Sequence, residues 1–233
     1  MKPVIVRNIP RSPEDSKITE VLKELGVATI AESQEKTGLL DPSIKPIQSG
    51  AKIAGTAVTV KCFDGDNLML HAALELVRPG DIIVLTTYSG NSMHGMFGEL
   101  LATACKVRGV VGLITDAGVR DVNVIREMKF PIWSRYITAL GTSKNRPGWV
   151  NVPIVIGGIH VKPGDYVVAD DDGVVIVPRE NVTKVIENAR KRVESEDNVR
   201  KRLLEGELSL DIYNFRQVIK SLGIEYVEKL EGD

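Results

Sequence analysis

The order of predicted secondary structure through the middle of the chain is the feature that most restricts the fold. Between residues 53 and 134, short apolar runs alternate with segments whose apolar residues recur at helical spacing. The predicted strands are 53–62, 82–86, 110–115 and 131–134, and the predicted helices are 66–76, 98–108 and 122–128. Strands and helices that alternate in this way form layers, with helices packed on a sheet. The order therefore predicts an α/β fold.

The flanking segments are predicted to complete one domain over residues 1–233. Residues 1–13 contain three prolines and are predicted to form an irregular arm, followed by a helix that Ser12 caps and Gly26 ends. A short helix over 28–36 and short strands over 152–156, 166–169 and 174–177 are also predicted. A helical extension covers about 179–233, and its last helix covers 211–222.

Composition excludes some classes of protein. Lys and Arg number 30 against 31 Asp and Glu, so the bulk charge gives no support to a nucleic-acid partner. No apolar run approaches the roughly 18 residues that span a bilayer, so no membrane role is expected. Two cysteines cannot form a disulfide framework. These observations predict a cytoplasmic globular protein.

Residues 90–98, called here the glycine segment, precede a predicted helix and are predicted to form a loop. Helix N-termini expose unpaired backbone N–H groups, which bind anions such as carboxylates. Gly95 and Gly98 would let a ligand come close to the backbone. The alternative is a flexible loop without a ligand.

Arg120 and Asp121 end a predicted turn over 116–121 that follows an apolar strand. Ligands of α/β proteins gather at such carboxyl ends of strands. Arginine offers a fork of donors to a carboxylate, and aspartate offers hard oxygen atoms to Mg²⁺ or Mn²⁺. The alternative is a surface ion pair in which Asp121 caps the following helix.

Glu196 occupies a position where the spacing of the apolar stripe on the long C-terminal helix predicts an apolar residue. The stripe passes through Val182, Ala189 and Leu203 in steps of seven. Either the stripe drifts toward Val199, or Glu196 faces a polar site. Among the histidines, His94 in the glycine segment could approach a substrate, whereas His71 is expected to pack on a helix face.

Several stretches together resemble the HMG/CHA aldolases (4-hydroxy-4-methyl-2-oxoglutarate and 4-carboxy-4-hydroxy-2-oxoadipate aldolases) and their relatives, the regulators of ribonuclease E activity. The resemblance covers about 55–227. Its strongest stretches are GDNLMLH at 65–71, FGELLAT at 97–103, DAGVRD at 116–121, VADDDGVVIV at 168–177 and GELSLDIY at 206–213. It implies a β/β/α swivelling-type fold with flanking N- and C-terminal helices, assembled as a homotrimer or homohexamer.

The resemblance also implies roles for particular residues. As in the aldolases, twenty residues separate an acid, Glu99, from Arg120-Asp121, although the usual acid is aspartate. Asp121 would hold a divalent metal directly, and Glu99 would order the waters on it. Arg120 and the backbone at Gly95, Gly98, Glu99 and Leu100 would bind the pyruvyl part of the substrate. Glu196 matches an acid that reaches the metal site from a neighbouring subunit.

The implied activity is that of a class II pyruvate aldolase dependent on Mg²⁺ or Mn²⁺. Such a lyase cleaves a 4-hydroxy-2-oxo acid, a small anionic substrate, to pyruvate and a carbonyl product, and decarboxylates oxaloacetate. No lysine is evidently placed to form a Schiff base, which agrees with a metal-dependent route. The alternative is a non-catalytic regulator that binds a ribonuclease or a helicase.

Overall fold

A computed structural model describes residues 2–229. The strands are β1 (Val4–Ile5), β2 (Lys45–Pro46), β3 (Ile53–Cys62), β4 (Asp81–Thr87), β5 (Gly95–Phe97), β6 (Gly112–Val119), β7 (Ile132–Ile137), β8 (Trp149–Val150), β9 (Ile154–Ile156), β10 (Ile159–Val161), β11 (Tyr166–Asp170) and β12 (Gly173–Val177). The helices are α1 (Asp15–Ser33), α2 (Leu68–Ala73), α3 (Glu99–Val107), α4 (Val122–Glu127), α5 (Val182–Leu204), α6 (Ser209–Ile212) and α7 (Phe215–Ser221).

Four parallel strands form the centre of the main sheet, in the order β3-β4-β6-β7. The short strand β5 pairs in parallel with β6, and β11 joins β3 to the antiparallel hairpin with β12. Because the central strands are parallel, their carboxyl ends meet at one edge of the sheet. The glycine segment and the Arg120-Asp121 pair both lie at this edge.

Both faces of the central sheet are buried, as the near-continuous apolar runs of its strands require. On one face, side chains such as Val60, Leu85 and Leu113 belong to a core that includes residues of α2 and α3. On the other face, Val84 and Ile114 pack with side chains of β9 and β12. This arrangement confirms the predicted α/β fold class.

A third apolar cluster joins α1 to the β11–β12 hairpin and to the first turns of α5. α1 begins at Asp15, and Gly26 interrupts its helical geometry at φ 79°, so the predicted stop appears as a kink between two helical segments. Ser12 lies before the helix, where its hydroxyl accepts a hydrogen bond from the Glu14 amide. The Ser12 amide in turn donates to Asp15 Oδ2 at 2.9 Å, which is the reciprocal pattern of a capping box, so Ser12 caps this end of the chain as predicted although regular helix begins only at Asp15.

The prediction of a turn over 116–121 was wrong, because β6 continues to Val119. A register shift between Thr115 and Gly118 lets the strand continue pairing with β5 and β7. Gly118 is needed for close packing rather than for a turn: a Cβ there would lie 2.6 Å from Thr138 Cγ2 and 2.8 Å from the His94 carbonyl oxygen. The glycine segment was likewise predicted to be all loop, yet it contains β5.

Residues 2–229 divide into two compact units, of which the first ends at Ala189 and the second begins at Arg190. The first unit contains the main sheet. The second contains the remainder of α5 together with α6 and α7. The helix predicted over 211–222 is divided in two, because Asn214 adopts the left-handed conformation at φ 57°.

Candidate active site

A cavity of about 760 Å³ lies at the carboxyl edge of the central strands. It is lined by residues from α2, from the N-terminus of α3 and from the connection between β6 and α4. Six residues singled out from the sequence line it: Gly95, Gly98, Glu99, Leu100, Arg120 and Asp121. The fold therefore brings together the glycine segment and the Arg120-Asp121 pair, which are separate in the sequence.

The end of β6 determines where Arg120 and Asp121 lie. The Arg120 amide donates to the Phe97 carbonyl oxygen at 2.9 Å, which ties this point of the chain to β5. Asp121 follows in the left-handed conformation at φ 57° and begins α4 without a side-chain capping hydrogen bond. Its Oδ2 instead accepts a hydrogen bond from the Glu99 amide at 3.1 Å. Asp121 is thus the N-cap residue of α4 by position but not through its side chain, and the ion pair with Arg120 that the alternative also expected is present.

Gly98 allows the carboxylate and the guanidinium to approach the start of α3. A Cβ at this position would lie 2.5 Å from Asp121 Oδ2 and 3.1 Å from Arg120 Nε. Neither distance leaves room for a side chain without moving the functional groups. Arg120 Nε and Asp121 Oδ2 are 3.5 Å apart, and both side chains are almost half exposed to the cavity and solvent.

The N-terminus of α3 gives one side of the cavity a chemistry that suits an anion. The first hydrogen bond of this helix runs from the Ala102 amide to the Gly98 carbonyl oxygen at 3.0 Å. The amides of Leu100 and Leu101 precede that bond and have no partner within the helix, and both residues line the cavity. Together with the positive end of the helix dipole, they suit a carboxylate or a developing oxyanion.

Glu99 and Asp121 supply the carboxylates of the cavity. Glu99 Oε1 accepts a hydrogen bond from Thr103 Oγ1 at 3.1 Å, one helical turn along α3. Within residues 2–229, no three histidine, cysteine or acidic side chains come together as a metal-binding group. Mg²⁺ is commonly bound by one or two carboxylates, with waters and substrate oxygens completing its shell. The hard oxygen donors present therefore fit Mg²⁺ or Mn²⁺ held jointly with substrate.

Among the lining residues that sequence reasoning did not assign to a site are Asn67, His71 and Lys144. Asn67 is buried and donates from Nδ2 to the Met96 carbonyl oxygen at 2.9 Å. Partial burial lowers the pKa of His71, and the nearby positive charge of Lys144 lowers it further. Asn67 and His71 are four residues apart at the start of α2, a spacing that places them on one helix face and could have indicated a shared role.

The expected roles of the two histidines are exchanged in the structure. His71 lines the cavity rather than packing into the core. The ring of His94 lies against Gly65, where an added Cβ would be 2.8 Å from Nε2, and its Nδ1 is 3.2 Å from Ser92 Oγ. His94 thus helps to pack the glycine segment against the chain around residue 65.

Glu196 lies in the second compact unit. Its Oε1 is 2.8 Å from Arg192 Nε one helical turn earlier, and its side chain is 43% exposed. The apolar stripe of α5 is buried at Val182, Val185 and Ala189, all of which precede this unit. A contribution of Glu196 to the site of a neighbouring subunit remains a prediction.

Comparison with known proteins identifies the family. The model of the RraA-like family, described as Aldolase/RraA, matches residues 27–176. The chain therefore belongs to the RraA-like family. A protein of Halalkalibacterium halodurans named "Putative 4-hydroxy-4-methyl-2-oxoglutarate aldolase" is 33% identical over 165 residues, which cover 71% of this chain and 78% of the relative.

Solved structures share the fold. Streptomyces coelicolor RraAS2, described as an unusual member of the RNase ES inhibitor RraA protein family, superposes with a TM-score of 0.71 at 31% identity, covering 81% of this chain and 98% of that one. An uncharacterized Pseudomonas syringae protein superposes with a TM-score of 0.74 at 24% identity, covering 85% and 97% of the two chains, and supports the fold alone. No helix found within residues 2–229 has the length and apolar character needed to cross a membrane.

Proposed function

We propose that this protein is a divalent-metal-dependent class II pyruvate aldolase, which cleaves a 4-hydroxy-2-oxo acid to pyruvate and a carbonyl product. The observation that carries the proposal is the grouping of Arg120, Asp121 and the N-terminus of α3 around one cavity, with Glu99 beside them. The name of the Halalkalibacterium halodurans relative supports the same reaction class.

Substrate binding follows from the positive groups of the cavity. The 2-oxo acid end of the substrate carries a carboxylate and a carbonyl oxygen, which match the Arg120 guanidinium and the free amides of Leu100 and Leu101. Cleavage of the C3–C4 bond leaves its electron pair on the pyruvyl fragment, where negative charge spreads toward the carbonyl oxygen. Donors already held in place stabilise that charge without having to reorganise.

Asp121 would hold the divalent metal, with Glu99 positioned to order waters around it. When bound, the metal would act as a Lewis acid on the substrate carbonyl. Glu99 occupies the position where the family usually has aspartate, and its side chain is one methylene longer. The Thr103 hydroxyl donates a hydrogen bond to Glu99 Oε1, which helps to fix the position of the carboxylate. The Glu99 amide fixes Asp121 Oδ2 independently of the length of the Glu99 side chain.

A proton must leave the C4 hydroxyl of the substrate during cleavage, and the enolate that remains must take up one proton at C3 to become pyruvate. His71 lines the cavity, and its lowered pKa keeps the imidazole neutral at pH 7, so a ring nitrogen can accept a proton. Lys144 beside it adds a positive charge that suits a second carboxylate on the distal part of the substrate. We assign His71 and Lys144 to this distal half of the cavity.

Oxaloacetate decarboxylation belongs to the same proposal. Loss of CO₂ from oxaloacetate leaves the electron pair on the same pyruvyl carbon as aldol cleavage does. The groups that stabilise one product fragment therefore stabilise the other.

A coupled assay of pyruvate release tests the activity. The purified protein is supplied with a series of 4-hydroxy-2-oxo acids and with oxaloacetate, first after chelator treatment and then after addition of Mg²⁺ or Mn²⁺. We expect pyruvate release above that of protein-free samples only when metal is added, because oxaloacetate loses CO₂ slowly even without a protein. Equal release in chelator would contradict the metal dependence, and no release from any of these acids would contradict the enzyme assignment.

A second candidate function is regulation of a ribonuclease or helicase through binding. The description of the Streptomyces coelicolor RraAS2 structure favours this candidate. The presence of both Glu99 and Asp121 in the cavity favours catalysis. Tight binding of a ribonuclease by a protein that turns over none of the 2-oxo acids would support regulation instead.

A further inference from the structure

A buried polar cluster lies at the carboxyl edge of the sheet, among residues that do not belong to the described lining of the active-site cavity. At its centre is Asp116 on β6, which is 1% exposed. Its Oδ2 accepts a hydrogen bond from Thr86 Oγ1 of β4 at 2.7 Å. Its Oδ1 is buried and has no hydrogen-bond partner among residues 2–229. A carboxylate in such a place is costly to ionise.

The first half of the glycine segment covers this carboxylate. Gly90 turns there at φ 67°, and a Cβ on it would lie 3.7 Å from Asp116 Oδ2. The Gly90 amide donates to the Thr87 carbonyl oxygen at 3.1 Å, which closes the turn over the end of β4. Displacement of this turn would therefore expose Asp116 to water.

Arg135 of β7 holds the same turn from the other side. Its Nη1 donates to the Gly90 carbonyl oxygen at 3.3 Å and to Asn91 Oδ1 at 3.1 Å. The Tyr136 hydroxyl also donates to Asn91 Oδ1, at 2.5 Å. Arg135 Nε is buried without a partner among the described residues. Arg135 thus acts on Asp116 through its charge rather than through an ion pair, and part of the cost of the buried charge remains.

Few charged groups surround Asp116 and its covering turn. Thr86 faces Asp116 from β4, Gly90 covers it, and Arg135 is the charged group that faces it from β7. Asp64 holds the same turn, because its carboxylate accepts hydrogen bonds from the amide and the hydroxyl of Ser89. Burial raises the pKa of Asp116 to about 6, while the Thr86 hydrogen bond and the charge of Arg135 oppose the rise. Arg135 also lowers the pKa of the exposed Asp41, whose main cause of lowering is its hydrogen bonds with Ser43. Arg135 therefore acts on two carboxylates.

We propose that Asp116 is a conformational switch beneath the glycine segment: its protonation favours the closed turn over residues 88–94, and its ionisation favours release of that turn. The sign follows from linkage, because the closed turn keeps the carboxyl group from water and so binds the proton more tightly than an open turn does. Arg135 is the positioning residue that keeps the turn closed when Asp116 is charged.

The switch acts on the segment that builds the candidate active site. The Gly118 amide of β6 donates to the Ser92 carbonyl oxygen at 3.0 Å, and the Gly95 amide donates to the Leu140 carbonyl oxygen at 2.7 Å. The chain then continues through β5 to Gly98 and Glu99. Release of the turn would loosen the anchored start of this segment. The consequence for catalysis rests on the proposed function, whereas the movement of the turn does not.

Hydrogen exchange read by mass spectrometry tests the switch on the intact chain. Protection of a peptide covering residues 88–97 is measured between pH 5 and pH 7, after correction for the intrinsic exchange rate. We expect protection about tenfold higher at pH 5 than at pH 7, because opening is linked to loss of one proton. In Asp116→Asn, the protection should be high and independent of pH. The same protection at both pH values in the unmodified protein would overturn the proposal.

Two further variants make the test specific. Arg135→Gln should lower protection of the peptide at pH 7 while leaving its pH dependence in place, because Asp116 is still present. Asp165→Asn is the matched control, since Asp165 is also buried with a pKa raised by burial but lies in the turn before β11. It should leave the pH dependence of the 88–97 peptide unchanged, and a loss of that dependence in this control would contradict a local switch at Asp116.

The exchange result is independent of turnover. A protein that releases no pyruvate but shows the expected exchange pattern would contradict the proposed function and support the switch. A protein that releases pyruvate but shows no pH-dependent protection at residues 88–97 would overturn the switch and leave the proposed function standing.

Discussion

Asp116 and Asp121 are five residues apart, yet their carboxylates have opposite surroundings. Asp116 lies within β6, is 1% exposed and has a pKa raised by burial to about 6. Asp121 follows the strand in the left-handed conformation, and its side chain is 43% exposed beside Arg120. Both residues are aspartates, so residue type alone could not show which carboxylate is buried, and the sequence predicted Asp116 to lie in a turn. The length of β6 decides which carboxylate is buried.

Asp116→Asn is expected to stabilise the protein at pH 8. The native pKa of Asp116 is raised above its unfolded value of 3.8 to about 6, so its contribution to stability falls as pH rises from about 4 to about 6. A shift of about two units corresponds to as much as about 3 kcal/mol at higher pH. Asparagine removes this cost and can still accept from Thr86. Urea denaturation of both proteins at pH 5 and pH 8 measures the difference.

Asp81 provides the contrasting case for that measurement. It is also fully buried, but the Arg11 guanidinium binds both of its carboxylate oxygens, at 2.6 and 2.8 Å. Asp81→Asn leaves a cation without its partner and is expected to lower the free energy of unfolding by several kcal/mol. If Asp116→Asn also destabilised the protein at pH 8, the incomplete pairing of Asp116 would be contradicted.

At the scale of elements, the sequence predicted long regular segments well and short ones poorly. The bounds predicted for β3 match Ile53–Cys62, because an alternating run of ten residues is a strong strand signal. β5 has three residues and is held by pairing with β6 and by hydrogen bonds to Leu140 and Asn67, contacts that local sequence does not encode. The end of β6 was missed because Gly118, which serves close packing, has the same local signal as a turn glycine.

The residues of the candidate site also fall into those that the sequence predicted and those that it did not. Arg120 and Asp121 were singled out by their place after an apolar strand, and Glu99 by the spacing that the resemblance to the aldolases supplies. Lys144 lies on the connection between β7 and β8, where no local pattern marks it. Its place in the cavity follows from tertiary packing, since the Ser143 amide donates to the Gly65 carbonyl oxygen at 2.8 Å. Such residues could not be predicted from a single sequence.

Gly118→Ala tests the extended β6. The added methyl group would meet Thr138 Cγ2 at 2.6 Å and the His94 carbonyl oxygen at 2.8 Å, so the three adjacent strands must move apart. We expect a loss of about 1–3 kcal/mol in the free energy of unfolding, as for overpacking in a core. Chemical denaturation measures this loss. A variant as stable as the unmodified protein would show that residue 118 lies in a loose turn rather than in a packed strand.

At the scale of the whole molecule, balanced composition is compatible with a site for a small anion. The chain has 30 basic and 31 acidic residues, yet the cavity places Arg120 and Lys144 near the N-terminus of α3. Local groups of this kind bind a carboxylate without a basic face. The assembly into trimers or hexamers that the resemblance implies would add Glu196 of one subunit to the site of another.

Mixing two inactive variants tests that assembly. If each site uses Asp121 of one subunit and Glu196 of its neighbour, co-expressed Asp121→Asn and Glu196→Gln chains form about a quarter of their sites with both native acids. We expect each variant alone to be nearly inactive and the mixture to recover about that fraction of the pyruvate-release rate. No recovery in the mixture, or full activity of Glu196→Gln alone, would contradict the contribution from a neighbouring subunit.

The rate of pyruvate release by Asp121→Asn, with saturating Mn²⁺, tests the central claim most directly. Asparagine preserves the size of the side chain and removes the charge that would hold the metal, so we expect the rate to fall about 100-fold or more. Glu127→Gln removes a carboxylate from the same helix outside the described cavity lining, and it should retain the full rate. An Asp121→Asn variant that is as active as Glu127→Gln would contradict the assignment of this cavity as a metal-dependent aldolase site.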